Sequence, residues 1–169
     1  VHDSSSGTSD IFFSYFDTYL CMAYKGRYIP KNPSKYVADP TKITYRSMWE
    51  KKFMVFCDTK ESVLRWGSET IVVPYKSPVD GKMHRYFVDF IVETINKRGF
   101  KETQLIEIKP KKQTKEPVKK SRVSRRYLYE VKTYAVNQAK WKSATEFAEN
   151  RGWTFKIFTE EVLFPNGNN

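Results

Sequence analysis

The chain has few of the side chains that most often bind transition metals. Its 169 residues include two cysteines and two histidines. Cys21 and Cys57 show neither a disulfide framework nor metal-ligand spacing, and His2 and His84 lie far apart in the sequence. These residues therefore do not indicate a zinc site, and the scarcity of cysteine favours a reducing compartment.

Long apolar runs are also lacking. No stretch approaches the roughly 20 apolar residues that a membrane-spanning helix needs. No basic segment precedes the apolar residues 11–16, so we do not expect a secretory leader there. Since neither signal is found, we expect no membrane partner. The chain is nevertheless 40% hydrophobic and 16% aromatic, which is enough to build a folded core.

Acidic residues are outnumbered. There are 19 Asp and Glu against 30 Lys and Arg, and the net charge is +11. A basic protein of this size is expected to bind a polyanion, with nucleic acid ahead of an anionic membrane. The segment 110–126 is especially basic, and we expect a mobile loop there that holds the DNA backbone. The predicted DNA contacts are Lys111, Lys112, Lys115, Lys119, Lys120, Arg122, Arg125 and Arg126.

The composition divides the chain into three parts. Residues 1–21 form an N-terminal extension, which is a tag, an upstream extension or a docking arm. Residues 22–160 have the length and apolar content of a single domain, and residues 161–169 form a C-terminal tail.

Periodicity within the domain predicts an α/β sandwich with a mixed sheet. A proline-rich irregular arm leads to a helix in which Trp49, Phe53 and Phe56 mark one buried face. A three-strand meander follows, then two helices with Asn137 as the N-cap of the second, and a last strand that a crossover could place parallel to the third. The predicted elements are a helix at 45–57, strands at 70–75, 84–94 and 103–109, helices at 126–134 and 138–150, and a strand at 154–158.

Two of the predicted strands carry acids in apolar surroundings. Asp89 lies in the apolar run 86–92, and Glu107 and Lys109 are two positions apart, so their side chains share one face of a strand. A buried carboxylate costs several kcal/mol unless it is paired or binds a metal. The alternatives are a turn cap or a pair with Arg85 for Asp89, and a cross-strand surface ion pair for Glu107 and Lys109. We favour a shared functional site.

A third carboxylate of the site is expected from the first helix. Glu50 borders its predicted apolar face, but Ser47-x-x-Glu50 also matches a capping box, in which Glu50 would only satisfy a backbone N–H group. Glu69, just before the first predicted strand, is a weaker candidate for the same outer position. Tyr127 and Tyr129 follow the basic segment and could stack on splayed bases, although we expect at least one of them to pack in the core.

An acid in a helix, an Asp on a strand and Glu-x-Lys on the next strand resemble the PD-(D/E)XK nuclease superfamily, with Val88 in place of the frequent proline before the Asp. The wider sequence from about 22 to 160 resembles the head completion nucleases of contractile-tailed phages. The segments that carry this resemblance are residues 22–33, 42–50, 66–69, 85–90, 106–112 and 134–141.

The resemblance implies a restriction-endonuclease-like fold and an endo- and exonuclease activity on double-stranded DNA. It implies that the enzyme finishes filled phage heads, trimming protruding packaged DNA before tails join. Phage head, portal or neck proteins would be its partners, in the virion or in the host cytoplasm during assembly. Glu50, Asp89, Glu107 and Lys109 would be the catalytic residues.

The corresponding hypothesis is a magnesium-dependent phosphodiesterase, with Mn²⁺ as an expected substitute. Asp89, Glu107 and the carbonyl oxygen of Ile108 would ligate the ion, Glu50 would complete or support a second site, and Lys109 would orient or deprotonate water. Two rivals remain open at this point. One is a non-catalytic DNA-binding virion adaptor, and the other is a resolvase or transposase-type end-cleaving subunit of the same superfamily.

Overall fold

A computed structural model describes residues 24–119 and 122–165 of the chain. The N-terminal extension 1–21, with Cys21, lies outside the described residues, as do Lys120 and residues 166–169 of the tail. The strands are β1 (Gly26–Arg27), β2 (Thr44–Tyr45), β3 (Val63–Lys76), β4 (Met83–Ile95), β5 (Lys101–Ile108) and β6 (Thr154–Phe158). The helices are α1 (Met48–Thr59), α2 (Lys111–Thr114), α3 (Arg125–Glu149) and α4 (Glu160–Leu163), with a 3-10 turn at Pro33–Lys35.

The central sheet has the strand order β3-β4-β5-β6. The first three strands are antiparallel, and β6 lies parallel to β5, with Ile106 opposite Lys156. The meander and the parallel crossover strand predicted from the sequence are therefore confirmed. The start of the first predicted strand, at residue 70, is wrong, because β3 begins at Val63.

Helix α1 packs against the sheet through a face slightly different from the predicted one. Phe53, Met54 and Cys57 are buried, and Trp49 is partly buried against the same cluster. The prediction for Phe56 is wrong, because this ring is 48% exposed. Met54 and Cys57 are three positions apart and Phe53 and Cys57 are four apart, so these residues form one stripe that leaves Phe56 at its edge.

The two helices predicted at 126–134 and 138–150 are one continuous helix, α3. Asn137 was predicted as an N-cap, but it is buried in the middle of the helix. The N-cap is Ser124, whose hydroxyl accepts a hydrogen bond from the Tyr127 N–H group. No Gly or Pro interrupts residues 134–138, so a capping residue alone did not end the helix. The mobile loop predicted at 110–126 is partly helical, because α2 covers Lys111–Thr114 and α3 begins at Arg125.

The helices cover both faces of the sheet, as expected for an α/β sandwich. Phe53 of α1 packs in one cluster with Phe90 and Ile106, and Ala144 of α3 packs in another with Leu105. Since Leu105 and Ile106 are neighbours on β5, the two clusters lie on opposite faces. In the described part of the chain, no helix combines the length and apolarity needed to cross a membrane.

Strand β4 changes face at Asp89. Phe90 packs in the α1 cluster, whereas Val88 packs in the α3 cluster, although residues two apart normally share a face. The pairing of β3 with β4 shifts at this point, because Ser68 is opposite Phe90 and Ile71 is opposite Val88. Two residues of β3 thus oppose Asp89 alone, and such a bulge bends and twists a strand. Asp89 therefore lies at the point where β4 passes from one apolar cluster to the other.

The irregular arm before α1 is fixed by one buried acid, Asp58, which is 0% exposed. Its carboxylate accepts hydrogen bonds from the Tyr28 hydroxyl at 2.8 Å and from the Lys31 and Asn32 N–H groups at 2.7 and 2.9 Å. Burial acts to raise the pKa of Asp58, but these hydrogen bonds outweigh it and lower the pKa overall. Asp58 therefore joins the end of α1 to the arm.

Candidate active site

The carboxyl end of β5 presents an acid and a cation in direct contact. Glu107 is 3% exposed, and the Lys109 Nζ atom lies 3.0 Å from its Oε1 atom. The Tyr86 hydroxyl donates a 2.6 Å hydrogen bond to the Oε2 atom of Glu107. Both carboxylate oxygens are thus oriented, which is the pre-organisation that a catalytic acid requires.

Asp89 joins this pair from the neighbouring strand. The Ile108 N–H group donates a 2.8 Å hydrogen bond to the Oδ2 atom of Asp89, just beyond the last pair of the β4–β5 ladder, Phe90 and Ile106. Burial raises the pKa of Asp89 well above its usual range, and the negative charge of Glu107 raises it further. Arg85, the alternative partner, places its guanidinium 5.0 Å from the ring centroid of Phe87.

The protonation of Lys109 follows from the same neighbours. Burial acts to lower its pKa, but the carboxylates of Glu107 and Asp89 outweigh burial and the pKa is raised overall. The structure therefore brings together three of the four predicted catalytic residues as a mutually interacting group.

These residues line an open cleft of about 320 Å³. Arginine and lysine side chains from the segment before α1, from β4, from the end of β5 and from α3 line the cleft together with the acids. Their positive charges suit the cleft to an anionic substrate. The lining residues are Arg46, Glu69, Arg85, Tyr86, Phe87, Asp89, Glu107, Lys109 and Lys140.

Lys140 is a member of this cleft that the sequence reasoning missed. Its Nζ atom lies 5.5 Å from the ring centroid of Tyr86 and 5.7 Å from that of Tyr75. Burial lowers the pKa of Lys140, and the nearby positive charge of Lys109 lowers it further. The available signal was its position four residues before the buried Ala144, which places it on the sheet-facing side of α3.

Glu50 has the capping role that was weighed as its alternative. Ser47 is the N-cap of α1 and accepts a 3.1 Å hydrogen bond from the Glu50 N–H group. The Glu50 carboxylate accepts from the Arg46 N–H group at 2.8 Å and from the Ser47 hydroxyl at 3.2 Å. Glu50 is absent from the described lining of the cleft, although its charge contributes to the raised pKa values of Asp89 and Lys109. Its catalytic role stays a prediction.

Glu69, the weaker candidate, does reach the cleft. It lies in the β3 bulge opposite Asp89, with a left-handed φ of 53°. Its Oε2 atom is 3.0 Å from the Nη2 atom of Arg46. Arg46 thus binds Glu50 through its backbone and Glu69 through its side chain.

The donor set fits a hard cation. Among the described residues, no three acidic, histidine or cysteine side chains lie close enough to hold one metal ion together. Asp89 and Glu107 are two carboxylates on adjacent strands, and the backbone carbonyl oxygen of Ile108, the residue after Glu107, could be a third oxygen donor. Mg²⁺ is commonly bound by one or two carboxylates with water and substrate phosphate as further ligands.

None of the predicted DNA-contacting residues is in the described lining of the cleft. Lys111 is tied to α4, because its N–H group donates to Glu160 at 2.8 Å and its ammonium pairs with Glu161. Arg126 pairs with Glu130 at 3.0 Å. The others in the described chain, Lys112, Lys115, Lys119, Arg122 and Arg125, are exposed. Their contacts with DNA stay predictions.

Comparison with known proteins identifies the family. Residues 60–160 match the family described as TnsA-like endonuclease N terminal. The head completion nuclease of Enterobacteria phage T4 is 46% identical over 146 residues, which cover 84% of this chain and 95% of that protein. The sequence resemblance is thereby confirmed, and the mixed sheet flanked by helices is the expected restriction-endonuclease-like fold. The chain belongs to the TnsA-like endonuclease family and is a nuclease.

Proposed function

We propose that the protein is a magnesium-dependent endo- and exonuclease that acts on double-stranded DNA in phage head completion. It trims packaged DNA before heads and tails join, in the host cytoplasm during assembly, and its partners there are phage head, portal or neck proteins. The phage context rests on the similarity to the T4 head completion nuclease over most of both chains.

The observation that carries the chemistry is the group at the end of β5. Asp89, Glu107 and Lys109 meet in one cleft, within reach of each other's charge and with Lys140 beside them. A non-catalytic adaptor would have no use for two carboxylates in a basic cleft, because they repel the DNA that the surrounding cations attract.

Magnesium would be held by Asp89, Glu107 and the Ile108 carbonyl oxygen, with Glu50 supporting a second site. When bound, the ion supplies Lewis-acid polarisation of the phosphate and a water of lowered pKa.

The chain's own residues have separate tasks around that centre. The Tyr86 hydroxyl fixes one oxygen of Glu107 and Lys109 contacts the other, so the carboxylate keeps one orientation. The Lys109 ammonium orients the attacking water and stabilises the charge that develops on the phosphate. Lys140 provides a second positive charge in the lining of the cleft.

Binding and specificity follow from the rim of the cleft. The Arg46 and Arg85 guanidinium groups can contact phosphate oxygens on either side of the scissile bond. Contacts of this kind position DNA without reading its sequence, so we expect little sequence specificity.

The test is cleavage of linear and circular double-stranded DNA with Mg²⁺, with Mn²⁺ and with EDTA. Glu107→Gln preserves the size of the side chain and a hydrogen-bond acceptor for Tyr86, so folding should be retained. We expect metal-dependent cutting by the wild type and a loss of at least about 100-fold in the variant. Glu102→Gln is the matched control, because Glu102 lies on the same strand but is exposed and bonded to Asn96.

The substrates separate the rival functions. Cutting of the circle establishes the endonuclease, and shortening of the linear DNA from its ends adds the exonuclease. DNA binding without cutting under either metal ion would favour the adaptor. Cutting only at one DNA junction or element end, or only after a partner is added, would favour a resolvase or transposase-type subunit.

A further inference from the structure

The first half of α3 extends beyond the packed part of the fold. The buried residues of this helix are Asn137, Trp141, Ala144 and Ala148, all in its second half. Tyr129 in the first half is 71% exposed and Leu128 is 50% exposed. Since most helical stability comes from tertiary packing, an unpacked half with a large exposed aromatic ring is a candidate binding surface.

Helix geometry joins this surface to the cleft. Tyr129 and Lys140 are eleven positions apart, which is about three turns at 3.6 residues per turn, so both lie on the same face of α3. At 1.5 Å per residue their Cα atoms are roughly 16 Å apart along the axis. Thr133 and Val136 lie between them on that face and are partly exposed. Val136, at the boundary with the packed half of the helix, also contacts the apolar cluster that contains Ala144. We name this row, from Lys140 through Val136 and Thr133 to Tyr129, the α3 track.

The charge beside the α3 track suits a nucleic-acid strand. The first half of the helix carries Arg125, Arg126 and Lys132 against the single acid Glu130. Arg125 and Lys132 are exposed. Exposed aromatic rings next to basic residues are the usual surface for single strands, because bases stack on the rings while cations follow the phosphates.

We propose that the α3 track binds the unpaired strand of a frayed or overhanging DNA end, with Tyr129 stacking on a base. The track begins at Lys140 in the cleft, so the bound strand continues directly from the scissile phosphate. A stacked strand advances about 3.4 Å per nucleotide, and Tyr129 therefore meets a base about five nucleotides from that phosphate. The inference rests on the proposed function and names its preferred substrate, which is a DNA end with a single-stranded extension.

The test is equilibrium binding of the full chain, in EDTA so that no DNA is cut. The probes are a fluorescein-labelled blunt duplex and the same duplex with an extension of about ten nucleotides, within the range of known single-strand site sizes. Both strand polarities are compared. We expect tighter binding of one extended duplex, and Tyr129→Ala should weaken that binding by about 5- to 100-fold while Tyr129→Phe restores it.

Leu128→Ala is the matched control. Leu128 is exposed on the same helix but about 100° from Tyr129 around the axis, so its loss should leave binding of both probes unchanged. A fluorescent purine analogue placed at successive positions of the extension should be quenched most at one position, and Tyr129→Ala should remove that quenching.

Two results would overturn the proposal. One is equal affinity for blunt and extended DNA of either polarity. The other is an equal loss with Leu128→Ala, which would indicate a general apolar surface such as a protein-docking site. Because binding is measured without metal, these outcomes are independent of cleavage: an extension preference without any cutting would reject the nuclease function alone, and cutting without a preference would reject the α3 track alone.

Discussion

Two buried carboxylates in the fold, Asp58 and Glu107, have different surroundings. Asp58 is 0% exposed and Glu107 is 3% exposed. Asp58 accepts hydrogen bonds from backbone N–H groups and a tyrosine hydroxyl. Glu107 contacts a lysine and a tyrosine, and a second carboxylate, Asp89, lies beside it in an open cleft.

The difference shows that burial of an acid does not by itself indicate function. Neutral dipoles surround Asp58 and favour its charge, so the site is complete and needs no ligand. Asp89 and Glu107 repel each other, and Asp89 has a raised pKa as a result of burial and that repulsion. An acid pair of this kind is destabilised until a cation joins it, which is the property that marks a functional site.

The largest expected effect is on cleavage by Asp89→Asn. The amide can still accept the hydrogen bond from Ile108, but it removes the second negative charge of the cleft. We expect cleavage in Mg²⁺ to fall at least about 100-fold. In EDTA the free energy of unfolding should equal or exceed that of the wild type, because the repulsion with Glu107 is gone. If Asp89→Asn lost stability as well as activity, Asp89 would stabilise the fold as Asp58 does, and the contrast between the two acids would fail.

Asp58→Ala should have the opposite pattern. The change leaves the Tyr28 hydroxyl and the Lys31 and Asn32 N–H groups without their buried acceptor. We expect the free energy of unfolding in urea to fall by about 3 kcal/mol. Cleavage per folded molecule should stay within about twofold, since Asp58 lies away from the cleft lining. Asp80→Ala, an exposed aspartate in the turn before β4, is the control and should change stability little.

The sequence identified the acids of the site but not the structural acid. Glu107 and Lys109 were placed on one face because a strand alternates with a period of two, and Asp89 stood out in an apolar run. Asp58 follows Cys57 at the end of a helix, where no local pattern distinguishes it. Its partners come from the arm, more than twenty residues earlier, so its burial is a tertiary property.

The other details that the sequence missed also depend on tertiary structure. The β3 bulge depends on the register between two strands, and a register shift leaves no periodic signal. Lys140 enters the cleft because the second half of α3 packs on the sheet. Phe56 lies at the border of an apolar stripe, where a small rotation of the helix decides burial.

A smaller effect is expected in the pH dependence of the free energy of unfolding, where the contribution of Asp58 can be measured separately. Hydrogen bonds lower its native pKa below the value of about 3.9 expected in the unfolded chain. Its contribution to stability is therefore complete above that value and is lost as the pH falls through the lower native pKa. In urea titrations, the stability difference between the wild type and Asp58→Asn should be constant near neutral pH and shrink below about pH 4. A difference that grows on acidification would contradict the lowered native pKa.

The smallest expected effect concerns backbone strain beside Asp89. Glu69 has a φ of 53° in the bulge opposite Asp89, a conformation that costs a non-glycine residue about 1 kcal/mol. Its ion pair with Arg46 is partly solvated and contributes little to stability. Glu69→Gly should therefore raise the free energy of unfolding by up to about 1 kcal/mol. Glu69→Gln is the control, because it removes the charge but keeps the side chain and its strain. If the glycine variant is no more stable than the glutamine variant, the bulge is not strained, and the site differs from the Asp58 region only in its charges.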